Sequence, residues 1–230
     1  MRTSISEKRE INKLGLETFF LSIENNFYDN VITKTINFHE EKINQLRDSL
    51  DKKNLDDAIT DEWEIIFLEQ ELKAITDMKI IYAYKDFEIK LKFLISASYS
   101  KIDKSKMYKW EFINDFLKSR KIDIKKIGVY SEIEELRNIN NALKHSSISE
   151  SKILPKEFKN KTIITYNDVL AFYKRIENAP KKFIVELSDL ILNDLYNFDE
   201  TRINEIANTI ALRMDKKTAE ILIKKVLEKY

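Results

Sequence analysis

Cysteine is absent from the 230-residue chain, and glycine and proline occur twice each. Without cysteine there is no disulfide, no zinc–thiolate centre and no thiol nucleophile. The tight turns of a β-sandwich or barrel draw on glycine and proline, and four such residues cannot serve them. A doubly wound nucleotide-binding fold needs closely spaced glycines in its phosphate loop, whereas Gly15 and Gly128 stand far apart. No run of about 18 uncharged apolar residues is present, so no membrane span is expected. Met1 to Gly15 lacks the apolar core of a secretory leader, and the cytoplasm is the expected compartment. The net charge of +1 gives no bulk attraction to a polyanion.

Apolar residues make up 43% of the chain, aromatic residues 11% and charged residues 34%. That mixture excludes a disordered chain and can bury a sizeable core. The spacing of the apolar residues is helical. Phe20, Ile23, Phe27, Val31, Ile43, Leu46 and Leu50 predict a first helix from Glu17 to about Asp51, with a bend at the β-branched run Val31–Ile36. Thr60 or Asp61 is the expected cap of a second long helix reaching Ser98. Within it, Phe87–Phe93 alternates like a strand, yet Ile80, Tyr84, Phe87, Leu91 and Leu94 share one helical face, and helix is the reading taken.

Further helices are expected over Met107–Lys118, from a Ser131–Glu134 capping box to His145 or Ser146, and from Asn167 or Asp168 onwards. Pro180 should restart the last of these. Two final helices should be capped near Asp199 and Asp215. Gly128 is the expected site of an unusual backbone angle, and Thr162–Thr165 of a short extended piece. The sum is about seven helices.

Charge is unevenly spread. Residues 1–100 carry 14 basic and 19 acidic side chains, and residues 101–230 carry 26 and 20. Most of the basic excess lies in 101–126, including Lys118, Arg120, Lys121, Lys125 and Lys126. These read either as a solvated surface or as a phosphate-tracking patch, with Tyr108 and Trp110 available for base stacking.

Only two histidines are present. His39 lies in a charged helical stretch and reads as a helix-packing residue, with no second ligand nearby to suggest a metal. His145 closes the segment Leu136-Arg137-Asn-Ile-Asn-Asn141-Ala-Leu-Lys144-His145. At the helical repeat, Arg137, Asn141, Lys144 and His145 fall within about 100° of arc, opposite Leu136, Ile139 and Leu143. An imidazole can move a proton near neutral pH, and a guanidinium can hold phosphate through two hydrogen bonds. Asparagine orients either group. The set suits metal-independent cleavage of RNA, and it equally describes the wet side of an amphipathic helix.

The same segment resembles the signature of HEPN-like helical proteins found in prokaryotic defence and toxin loci: an arginine, a polar residue, and a histidine near the end of a bundle helix. The likeness covers about residues 15–195. It implies an all-α, up-and-down HEPN-like bundle over 1–197, with a two-helix extension over 198–230. It also implies that Arg137 clamps phosphate, that Asn138 is the polar residue after it, and that His145 is the general acid/base. Asn141 and Lys144 would support them, and Glu88 would match an acidic position that orients the arginine. Seven residues (Asn138–Lys144) separate arginine from histidine, longer than the family's usual spacing.

The expected activity is a metal- and cofactor-independent endoribonuclease of the toxin or phage-defence type. RNA would be its substrate, a second copy would complete the site across a two-fold axis, and an antitoxin or defence protein would be its companion. The competing expectation is a non-catalytic HEPN-like adaptor for a partner protein or nucleic acid. A weaker third is a DNA-binding helix-turn-helix formed by Thr201–Met214 and Thr218–Tyr230.

Overall fold

The computed structural model describes residues 4–19, 27–50, 52, 54–145, 147–151 and 153–230, with side chains at 27–29 left aside. Among the described residues the chain is helical throughout, without a strand. The elements are α1 (Ile5–Glu17), α2 (Phe27–Leu50), α3 (Leu55–Ser98), α4 (Trp110–Ser119), α5 (Tyr130–His145), α6 (Tyr166–Ile176), α7 (Ala179–Tyr196), α8 (Glu200–Arg213) and α9 (Lys216–Leu227).

The 44-residue α3 is the axis of the molecule, about 65 Å long at 1.5 Å per residue. Its N-terminal half pairs with α2 through Ile36, Ile43, Ile65, Leu68 and Leu72, a small core to which Tyr166 and Leu170 of α6 add. Its C-terminal half enters the main core, where Phe87, Leu91, Leu94 and Ile95 meet Leu117, Ile133, Leu136, Ile139, Phe172, Phe183 and Leu187. Phe87 and Phe183 meet edge to face at 5.4 Å, a favoured aromatic geometry. The alternating stretch Phe87–Phe93 is therefore helix, because the buried face repeats every three to four residues.

Several expected boundaries differ. A helix precedes the first one expected: Ser4 and Glu7 form a reciprocal capping box, and α1 follows. Its Leu16 carbonyl accepts the buried Ser188 hydroxyl of α7 at 2.9 Å. The helix predicted from Glu17 is split: α2 starts at Phe27, and Phe20 and Ile23 lie outside the described residues. Val31–Ile36 continues α2 without a break, since neighbouring Ile36 and Ile43 are held by α3.

The cap of α3 is Asn54, whose side chain accepts the Asp57 amide, not Thr60 or Asp61. Asp61 is buried instead. The capping box at Ser131 does not form, because α5 already starts at Tyr130 and the Ser131 hydroxyl turns to Glu132. Unusual backbone angles fall at Lys121 (φ 62°) and Asn160 (φ 61°), not at Gly128. Gly128 instead donates its amide to the Glu186 carboxylate of α7 at 3.0 Å. Thr162–Thr165 is irregular, and Thr165 with Asp168 caps α6. Pro180 does sit in the first turn of α7, and Asp199 and Asp215 do cap α8 and α9.

The long connection between α5 and α6 is pinned by Arg175 of α6. Its guanidinium bridges Glu157 (2.7 and 3.0 Å) in the connection and Glu135 (2.6 Å) on α5. Phe158 packs against Phe172 beneath it. By contrast, no residue of α8 or α9 is buried.

Candidate functional site

The helix that carries the sequence signature, α5, buries Ile133, Leu136 and Ile139. This turns Arg137 toward α3 and α4 at the bundle surface. There the guanidinium donates to both oxygens of Glu134, one turn earlier, at 3.2 and 2.8 Å. Its plane lies over the Trp110 ring of α4 at 5.7 Å, within cation–π range. The Tyr84 phenol of α3 and the Tyr130 phenol of α5 complete the surroundings.

Burial pushes Tyr84 up to about 12, and the Glu88 charge adds to it. Burial and the Glu134 charge likewise raise Tyr130. Burial alone would weaken the protonation of Arg137, but the Glu134 hydrogen bonds outweigh it and the net shift is upward. The guanidinium is thus a fixed cation whose charge is balanced within its own helix.

The expected orienting residue Glu88 is otherwise engaged, in an ion pair with Lys92 at 2.8 Å. Glu134 takes its place. Asn138 donates to the Glu134 backbone carbonyl at 2.6 Å and serves its own helix. Neighbouring Asn140 is 1% exposed. It donates to the Asn141 side chain at 3.3 Å, and its own Oδ1 has no hydrogen-bond donor.

Among the described residues no hydrogen bond joins Arg137 to Asn141, Lys144 or His145. Asn141, Lys144 and His145 are exposed on the last turns of α5. His145 stands eight residues beyond Arg137, about 12 Å along the axis. Among the described residues neither Lys144 nor His145 makes an ion pair or a side-chain hydrogen bond. Clefts occur elsewhere: one of about 480 Å³ lies between the α4–α5 connection, the end of α7 and α8, lined by Arg120, Lys121, Asp194 and Arg202.

Two residues of the basic connector have partners within the chain. Arg120 lies over Tyr99 and Phe116 at 5.2 and 5.9 Å, and Lys121 pairs with Glu205 of α8 at 3.2 Å. Lys118, Lys125 and Lys126 are exposed, but Asp123, Glu186 and Asp189 line the same cleft as Lys121 and Lys126. His39 does pack between helices, with Nδ1 2.9 Å from the Thr35 carbonyl and Nε2 3.0 Å from Glu71.

Among the described residues no group of three or more histidine, cysteine or acidic side chains is placed to hold a metal. No described helix is long and apolar enough to cross a membrane.

Tyr84 and Tyr130 were not among the candidate site residues, and Trp110 was read only as a base-stacking residue of the basic patch. Tyr130 and Trp110 had local signals, being aromatic residues beside a signature helix and a basic stretch. Tyr84 is 53 positions from Arg137 and had none. Comparison with protein-family models gives no match, and comparisons with curated proteins and with solved structures give none either.

Proposed function

We propose that the chain is a non-catalytic HEPN-like helical adaptor, whose signature helix serves to build and present a surface rather than to cut RNA. The observation that carries this reading is the state of Arg137. Two of its five N–H donors, on Nε and Nη2, are held by Glu134, its central carbon lies 5.7 Å from the Trp110 ring centre, and its charge is balanced. A phosphate gripped by that Nε–Nη2 edge would have to displace Glu134, leaving a carboxylate that is 16% exposed without its cation. A general acid/base is normally oriented by a third group, and His145 has none among the described residues. The uncovered apolar faces of the molecule fit an adaptor that holds another chain.

The endoribonuclease reading is second. What favours it is the shared exposure of Asn141, Lys144 and His145 along one edge, where a second copy could add the missing groups.

The two readings separate in one assay. Purified chain, His145→Ala and Arg137→Ala are each incubated with structured and single-stranded RNA in excess chelator. The adaptor reading predicts no new RNA ends in any sample and a lower melting temperature for Arg137→Ala only. Cleavage by the wild type that His145→Ala abolishes overturns it in favour of the endoribonuclease.

A further inference from the structure

Two apolar surfaces of this chain lie open, one on an acidic stretch of α3 and the other running on to the lysines of α9. The first is on α3. Leu55, Ile59, Trp63, Ile66, Phe67, Ala74 and Met78 recur at helical spacing within about 140° of arc, and every one is exposed. Trp63 is 58% and Phe67 60% exposed, unusual for adjacent large aromatics on a soluble surface. Between Leu55 and Glu71 the helix carries seven carboxylates and no basic residue. Glu64, Glu69 and Glu71 are paired with Lys42, Arg47 and His39 of α2. Asp56, Asp57 and Glu62 have no ion pair among the described residues.

The second surface is the α8–α9 hairpin. Ile203, Ile206, Ala207 and Ile210 form one stripe, and Ala219, Leu222, Ile223 and Val226 form another, both at i, i+3, i+4, i+7. Such stripes are written for burial, yet neither helix buries a residue. From Lys216 to Tyr230 the chain has five lysines against Glu220 and Glu228. Lys216, Lys225 and Lys229 flank the α9 stripe.

We infer that the α8–α9 hairpin of one copy docks on the acidic apolar stripe of α3 in a second copy, each lending its hairpin to the other. The two faces match in length, since Leu55–Phe67 and Lys216–Leu227 each extend about 18 Å. They match in amount, each offering roughly 600 Å² of uncovered apolar side chain, of the order that one partner of a standard interface buries. They match in sign, with Asp56 and Glu62 opposite lysines that flank α9. Trp63 and Phe67 are the aromatic anchors that such interfaces place at their centre. Reciprocal exchange closes the contact as a two-fold dimer instead of an open chain. The inference holds whether or not α5 is catalytic.

The test is sedimentation velocity on the full chain, from about 1 to about 100 µM. Two charge-reversed forms are compared with it: Asp56→Lys with Glu62→Lys, and Lys225→Glu with Lys229→Glu. All four positions are exposed, and melting temperature and circular dichroism check that both forms fold. The wild type is expected to dimerise. Each reversed form should dimerise at least about tenfold more weakly, and Trp63→Ser at least about 30-fold more weakly.

An equimolar mixture of the two reversed forms should recover the dimer, because one contact is restored by exchange of signs and the other joins two unaltered faces. A wild type that stays monomeric at 100 µM overturns the inference. So does dimerisation that neither reversal weakens, as would occur if hairpins paired with each other. Failure of the mixture to recover association overturns it as well, since that is the result for a hairpin folded onto its own α3.

Discussion

Replacing Arg137 with alanine removes two charge-assisted hydrogen bonds and a ring contact, and it leaves Glu134 partly buried without a cation. A loss of about 1–3 kcal/mol is expected, or several degrees in melting temperature for a domain of this size. His145→Ala should stay within about 0.5 kcal/mol of wild type, because the ring is exposed and unpartnered. Thermal melts of the two variants check both figures. Arg137 was legible as a singular residue because its face of α5 is local sequence. Its actual engagement was not, because Trp110 and Tyr84 arrive from other helices, and Glu134 was read as part of a helix cap. His145 was equally legible as a candidate, but a helical wheel hides the 12 Å of axial rise that separates it from Arg137.

Helix ends show the same division. Asp199 and Asp215 were readable as caps since each stands just before its apolar stripe and has no competitor nearby. Asn54 was not, because Thr60 and Asp61 are equally good capping types six residues on and only packing decides among them. Truncating the cap, Asn54→Ala, should cost about 1 kcal/mol, measurable by denaturant titration. Helix α1 was missed because its buried face is narrow, with Leu16 its one buried residue.

The α5–α6 connection gives a pH prediction. Burial would raise the Glu157 carboxyl, but hydrogen bonds from Arg175 outweigh it and hold the group below its ordinary 4.5. Asp168 is likewise held below 3.8 by Lys161 and the Thr165 cap, against burial. Both pKa values are lower in the folded chain, so their stabilisation is complete above the unfolded values and is lost as pH falls through the folded ones. Amide protection factors in 153–165, which are corrected for the slower intrinsic exchange in acid, should therefore fall below about pH 4 before those in the core of α3 and α7. Arg175→Gln should make that connection exchange fast at neutral pH and remove most of its acid dependence. Protection that is unchanged in Arg175→Gln would show that Phe158 alone holds the segment.

At the scale of the molecule, the all-α architecture was legible from scarcity of glycine and proline and from helical spacing. The two-part core along α3 was not, because nothing local says that one 44-residue helix serves two clusters. Nor does spacing alone say which apolar stripes stay uncovered. Those on α8, α9 and the N-terminal half of α3 look like any core stripe until the bundle is assembled without them.

An adaptor has such faces for its partners, and its signature helix can remain inert even when two copies meet. The most direct measurement is the appearance of RNA ends, mapped at nucleotide resolution in excess chelator, across protein concentrations that span the monomer–dimer range. The proposed adaptor leaves RNA intact at every concentration, with or without His145. Ends that emerge as the dimer forms, and vanish in His145→Ala, would contradict it and make α5 half of a shared ribonuclease site.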